Sequence, residues 1–167
     1  LKYEQEEIGV FTRQEMIDVF ADRPGVWGDL QGYTVFLLAA RCGMRRSEVL
    51  ALVWGQLDLN DGSIYVDRAF TDNGLPKNDK LRSTLMTSQC IDALKELQQT
   101  SSWVSPDHYV FSSRTGTPRG FTWWKKRFQS AMVRAKLMQR EGGKFINPRR
   151  LEPHSFRHSL NTLLRGA

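Results

Sequence analysis

Residues 39–59 read AARCGMRRSEVLALVWGQLDL. The stretch holds the end of one helix, a reversal and the start of the next. Upstream of it, residues from about Gly28 to Cys42 form a strongly apolar helix, apolar enough to be central. Gly43 fits the position just past that helix, where a left-handed backbone is required. A short helix follows from about Ser47 to Val53, with Leu50 and Leu52 available for burial. Two arginines, Arg45 and Arg46, therefore stand where one helix ends and another begins. Helix N-termini hold phosphate, and guanidinium forks grip it bidentately. Taken alone, the pair reads first as surface arginines that use Glu48 as an ion-pair partner.

Outward from this stretch the pattern stays mostly helical. Thr12 and Glu15 form a capping box at the start of a helix running to about Ala21. Asp61-Gly62 is a turn, and residues 63–68 alternate as a strand does. Asp72-Asn73-Gly74 is a second turn signal, with residues 81–86 as the returning strand. Thr87 or Ser88 caps a helix with Ile91, Leu94 and Leu97 on one face. Tyr109-Val110-Phe111 reads as a short third strand. A helix from about Phe121 to Met138 carries the stripe Trp124, Phe128, Ala131, Ala135 and Met138, with Lys125, Lys126, Lys136 and Arg140 on its back. Glu141-Gly142-Gly143 ends it. A last helix has Pro153 in its first turn, Phe156, Leu160 and Leu163 inward, and His154, His158, Asn161 and Arg165 on the other side, with Arg157 beside them. The expected fold class is α+β: mostly helical, with one small antiparallel sheet.

The chain has 167 residues, 40% apolar and 25% charged, which suits one globular domain with a real core. Strictly apolar runs reach only six residues, as at Val35–Ala40, too short to cross a bilayer. The opening LKYEQEEIGV has no signal-peptide h-region. Cys42 and Cys90 make no disulfide framework and read as small core residues in a reducing compartment. The net charge of +6 is uneven: residues 121–167 hold 11 bases and 2 acids, while residues 1–120 sum to −3. A block of one sign this dense points to a polyanion partner or to a solvated basic face. His154 and His158, four residues apart, resemble two metal ligands, but no third ligand supports them, and no metal or cofactor is expected. Phosphate-cradling glycine motifs and nucleophile elbows are absent.

The motifs become recognisable when taken in order. AARCGMRRSEVLALVWGQLDL resembles the first arginine box of the tyrosine recombinases, the phage integrase family. LPKNDKLRSTLMTS resembles their lysine hairpin, and LEPHSFRHSLNTLLRGA their second box, HxxR. YVFSSRTGTP resembles the stretch before their next long helix. The resemblance spans about residues 11–167 and implies the catalytic core of a DNA breaking-rejoining enzyme. It assigns Arg45 and Arg157 as phosphate clamps and His154 as their partner. It makes Lys77 the lysine that protonates the leaving oxygen, with Lys80 the alternative. Glu48 buttresses the site, and His158 packs behind it. Arg46, Lys80, Lys125, Lys126, Lys136 and Arg140 would meet the DNA backbone.

The family's nucleophilic tyrosine lies beyond the HxxR box, whereas Tyr3, Tyr33, Tyr65 and Tyr109 all precede it. The chain, read as one catalytic domain over residues 1–167, is therefore expected to be a fragment lacking the final helices and the N-terminal DNA-binding domains. The implied reaction is site-specific recombination by transesterification through a 3′-phosphotyrosyl link, without metal or cofactor. The implied setting is a phage, a mobile element or the bacterial cytoplasm. The partner is double-stranded DNA, with self-association to a tetramer by the full-length protein and no membrane. The fragment itself should bind DNA without cleaving it. Two rivals remain at this stage: a type IB topoisomerase-like enzyme and a non-catalytic DNA-binding remnant.

Overall fold

The computed structural model describes residues 8–71 and 76–165, with backbone alone for 76–80 and 163–165. Its helices are α1 (Arg13–Asp18), α2 (Leu30–Arg41), α3 (Arg46–Leu50), α4 (Ser88–Thr100), α5 (Phe121–Arg134) and α6 (Ser155–Arg165). Strands β1 (Leu57–Asp58), β2 (Ser63–Phe70) and β3 (Pro76–Leu85) form an antiparallel sheet in that order, and β4 (Gln139–Glu141) pairs with β5 (Lys144–Ile146). The α+β expectation holds.

Helix α2 is the axis of the domain. Residues 32–40 are all buried, and the helix packs against α3, α4 and α6. Asp29 caps it, accepting from the Gly32 N–H at 2.7 Å. Gly32 sits where a Cβ would stand 2.8 Å from the Trp27 carbonyl oxygen, so only glycine fits there without a shift. Helix α1 starts with the expected capping box, Thr12 Oγ1 accepting from Glu15 N–H and Glu15 Oε2 from Thr12 N–H. Thr87 caps α4, which buries Cys90, Ala93, Leu94 and Leu97. Cys42 and Cys90 are buried free thiols, their sulfurs 3.9 Å apart.

An aromatic hub joins the segment before α1 to α6. The ring of Phe156 on α6 lies 4.5 Å from Phe11, 5.7 Å from Phe20, 6.0 Å from Trp27 and 5.9 Å from Phe128. Trp27 stacks on Phe36 of α2 at 4.5 Å, and Trp124 of α5 meets Phe36 at 4.3 Å. Burying such rings supplies most of the driving force of a domain this size, and ring–ring geometry adds to it.

Several expectations need correction. The hairpin is longer than the alternation suggested, since β3 begins at Pro76; the turn at Asp72-Asn73-Gly74 lies outside the described residues. Tyr109-Val110-Phe111 is not a strand. It makes one bridge, Val53 to Tyr109, because the chain around Val53 enters a 3₁₀ turn at Trp54–Gln56 and residues 113–117 close a turn of their own. Helix α5 stops at Arg134: Lys136 is left-handed (φ +59°), and Met138 is buried from the turn beyond rather than from the helix. Gly142 and Gly143, both with positive φ, end no helix. They form the two-residue turn of the β4–β5 hairpin, a turn that needs φ > 0 at both positions. Helix α6 begins at Ser155, so Pro153 and His154 belong to the turn before it. Phe156, Ser155 and Ser159 face inward, Leu160 is half-buried, and the side chain of Leu163 lies outside the described residues.

Candidate functional site

The site is built from both ends of the arginine-bearing sequence. Gly43 leaves α2 with φ +61°, and nothing lies within 4 Å of where its Cβ would stand, so the backbone conformation alone calls for glycine. The reversal puts Arg45 at the N-cap of α3. Glu48, one turn on, is buried. Its Oε2 accepts from the Arg45 N–H at 2.8 Å, and its Oε1 from Arg45 Nη1 at 3.3 Å. A buried carboxylate needs paired cations. A second comes from the sheet, where Arg82 Nη2 reaches Glu48 Oε2 at 2.6 Å. The Arg45 side chain stays 57% exposed, with its guanidinium open to solvent.

Helix α6 supplies the other half. Phe156 anchors its first turn in the aromatic hub, and the neighbouring Arg157 is held half-buried, with Nη1 donating to the Gly43 carbonyl at 3.4 Å. The second arginine box thus touches the backbone of the first. His154 precedes Arg157 by one turn, its ring edge-on to His158 at 4.6 Å. Partial burial is the largest influence on His154, followed by the charges of His158 and Arg157. All of these lower its pKa below the ordinary 6.5 and favour the neutral imidazole.

One cavity of about 640 Å³ collects these groups. Arg45, Arg46, Lys125, His154 and Arg157 are in its lining, with Glu152 as its one acid and Met44, Trp124, Phe128, Met138 and Leu151 among its apolar residues. Arg46 also stacks on Phe121, its guanidinium carbon 3.9 Å from the ring centre. Trp124 Nε1 is buried without a hydrogen-bond partner among the described residues. Tyr33 is buried with its hydroxyl 2.8 Å from Gln89, Tyr65 faces out from the sheet, and Tyr109 packs on Phe70 at 5.8 Å; none of the three lines the cavity. Among the described residues, no three His, Cys, Asp or Glu side chains gather as a metal site, and no helix is long and apolar enough to cross a membrane.

The remaining sequence candidates are dispersed. Lys77 lies on β3 opposite Ala69, with Lys80 three residues on; both side chains fall outside the described residues. Lys126 is exposed on α5. Lys136 and Arg140 are not on the back of that helix, which ends before them: Lys136 follows its C-terminus, and Arg140 lies in β4 over the Phe145 ring at 5.4 Å. Much of the basic block serves the fold instead. Arg127 pairs with Asp29 at 2.7 Å, Arg134 donates to the Val26 carbonyl, and Arg149 binds Glu15 through both of its terminal nitrogens. The residue missed by sequence reasoning is Arg82. The strand period carried a signal: Arg82 and Thr84 pair with the buried Val66 and Ile64, so an arginine on that face requires a carboxylate.

The chain belongs to the phage integrase family, whose model matches residues 15–166. It is 32% identical over 118 residues to the tyrosine recombinase XerC of Xanthomonas axonopodis pv. citri (strain 306), covering 71% of this chain and 32% of that protein. The chain thus spans about a third of that relative's length. Among solved structures, the Tn1549 transposon integrase in complex with circular intermediate DNA superposes with a TM-score of 0.77 at 18% identity, over 99% of this chain and 57% of that one. XerA recombinase gives 0.69 at 17% identity, over 97% and 53%. XerH bound to its difH substrate gives 0.65 at 16%, over 99% and 46%. At these identities the likeness is one of fold, and that fold is the tyrosine recombinase catalytic core.

Proposed function

We propose that this chain is the phosphate-binding catalytic core of a site-specific DNA recombinase that acts through a 3′-phosphotyrosyl intermediate. The observation that carries the reading is the meeting of Arg45, His154 and Arg157 in the lining of one cavity, in a chain of the phage integrase family. A phosphodiester under attack gathers negative charge on its nonbridging oxygens, and two fixed guanidinium groups stabilise that charge where it develops. Arg45 and Arg157 fill this role. Neutral His154 accepts the proton of the attacking tyrosine hydroxyl or donates a hydrogen bond to the phosphate. The tyrosine oxygen bonds to phosphorus, the bond to the 5′-oxygen breaks, and Lys77 delivers a proton to that leaving oxygen. The reverse attack by a 5′-hydroxyl rejoins the strand and frees the tyrosine.

The nucleophile comes from outside these residues, a reading supported by the positions of Tyr33, Tyr65 and Tyr109 away from the cavity. Lys125 and Lys126 meet the DNA backbone beside the site, and copies of the full-length protein assemble on DNA as a tetramer. The setting is bacterial cytoplasm, on chromosomal, phage or mobile-element DNA.

The test uses the 167-residue chain beside the full-length product of its gene. Both are offered nicked duplexes drawn from a randomised pool. The full-length protein should form a denaturant-resistant adduct on a defined sequence, while the 167-residue chain binds duplex and forms none. Its binding should weaken steeply with salt as counterion release loses its advantage. Relaxation of supercoiled plasmid by the full-length protein without site preference would favour a topoisomerase, and binding without any adduct a non-catalytic DNA-binding protein.

A further inference from the structure

Arg82 lies on the strand of the lysine hairpin, half-buried, with its guanidinium reaching across to the arginine site. Glu48 is the link. Its side chain is 1% exposed, and its Oε2 receives both Arg82 Nη2 at 2.6 Å and the Arg45 N–H at 2.8 Å. The Arg45 guanidinium is left with the longer contact, 3.3 Å to Oε1. A buried carboxylate draws in whatever cation can reach it. With Arg82 on one oxygen, much of that demand is met, and Arg45 keeps an exposed guanidinium. Without Arg82, Arg45 is the cation left to answer the full charge, and its guanidinium is drawn inward from the cavity.

We propose that Arg82 is a positioning residue: through Glu48 it holds the Arg45 guanidinium outward, available to a phosphate. The proposal rests on the recombinase reading above. It assigns Arg82 no contact with DNA and no proton to transfer. The arrangement also ties the strand that carries Lys77 to the helix start that carries Arg45, since Arg82 and Lys77 both lie on β3, opposite Val66 and Ala69 on either side of a shift in register.

The test uses the full-length gene product as wild type, Arg45→Ala, Arg82→Gln and Arg82→Lys. Single-turnover cleavage is measured on a site selected by covalent capture with the wild type. Three scissile groups are compared: the ordinary phosphodiester, a methylphosphonate that carries no charge to clamp, and a bridging 5′-phosphorothiolate whose thiolate leaves without a proton. Arg82→Gln should cleave the phosphodiester about a hundredfold more slowly, the scale of a misplacement near 1 Å, with DNA affinity unchanged. It should approach wild type on the methylphosphonate, and Arg82→Lys should fall between the two. Equal loss on all three substrates would reduce Arg82 to a structural role and overturn the proposal. Recovery confined to the phosphorothiolate would overturn it as well, since the defect would then lie in protonation by Lys77. Unimpaired cleavage of the phosphodiester by Arg82→Gln, with Arg45→Ala strongly slowed, would sink the Arg82 role and leave the recombinase reading standing. A wild type that captures no duplex would overturn that reading, and the Arg82 role would fall with it.

Discussion

Arg157 Nη1 donates to the carbonyl oxygen of Gly43 across 3.4 Å, joining two residues that lie 114 apart in the chain. The contact fixes the start of α6 against the reversal between α2 and α3, and so fixes Arg157 relative to Arg45. Both arginines line one cavity, and on the proposed function they act on one bound anion. Arg45→Ala and Arg157→Ala should each slow cleavage by the full-length protein about 10²–10³-fold, the cost of removing one preorganised donor from a transition-state site. The double variant should lose less than the product of the two losses, because the groups work as a unit. Single-turnover cleavage on a common duplex measures all three.

Gly43→Ala isolates the reversal. The methyl group meets nothing within 4 Å, so the penalty comes from the backbone at φ +61°. It should be about 1–2 kcal/mol by denaturant unfolding. Gly43→Asn, which tolerates the left-handed region, should lose less. A larger loss in the asparagine variant would mean that the site responds to bulk rather than to φ.

His154 should make the domain weaker in acid. Burial and the neighbouring positive charges lower its pKa in the folded state below the ordinary 6.5, so the unfolded chain takes up the proton more readily than the native one. The resulting stability is complete above the unfolded value and is lost as pH falls through the folded value. Melting temperature should therefore decline on acidification from about pH 7.5 to pH 5, and His154→Gln should flatten the decline. A proton NMR titration of the His154 ring should show its midpoint below the ordinary value.

Phe156 is the strongest packing test. It is fully buried and touches rings from the N-terminal segment, α2 and α5. Phe156→Ala should cost about 3–5 kcal/mol in chemical denaturation, and Phe156→Leu distinctly less. Thr12→Ala, which removes a cap from the exposed helix α1, should cost about 1 kcal/mol.

The legible parts of the sequence were those governed by local rules. The capping box at Thr12 and Glu15, the left-handed Gly43, the buried run of α2 and the alternation of Ile64, Tyr65 and Val66 all follow from backbone geometry and apolar period, and the structure has each. The arginine boxes were legible as motifs. Their meeting in space was implied by the family resemblance alone, because it depends on the Phe156 hub and on contacts distant in sequence that no local rule reports. The β4–β5 hairpin was hidden because two glycines after a helical stripe satisfy a helix end as well as a tight turn. The basic block showed its sum but not its allocation: Arg127, Arg134 and Arg149 satisfy Asp29, a carbonyl and Glu15, and only the folded structure separates them from the lysines facing solvent.

The aromatic hub has a consequence for how activity is lost. The side chain beside Arg157 in sequence is also the ring that closes the core, so no hinge or linker separates the proposed anion-gripping end of α6 from the packing that keeps the domain folded. Damage to the core and damage to the grip arrive together. Heating or denaturant should abolish phosphate binding at the same midpoint at which tryptophan fluorescence reports melting, with no folded but slack population in between. Variants selected for a tighter core should, by the same coupling, hold their anion site in register at higher temperature without any change to the residues that line it.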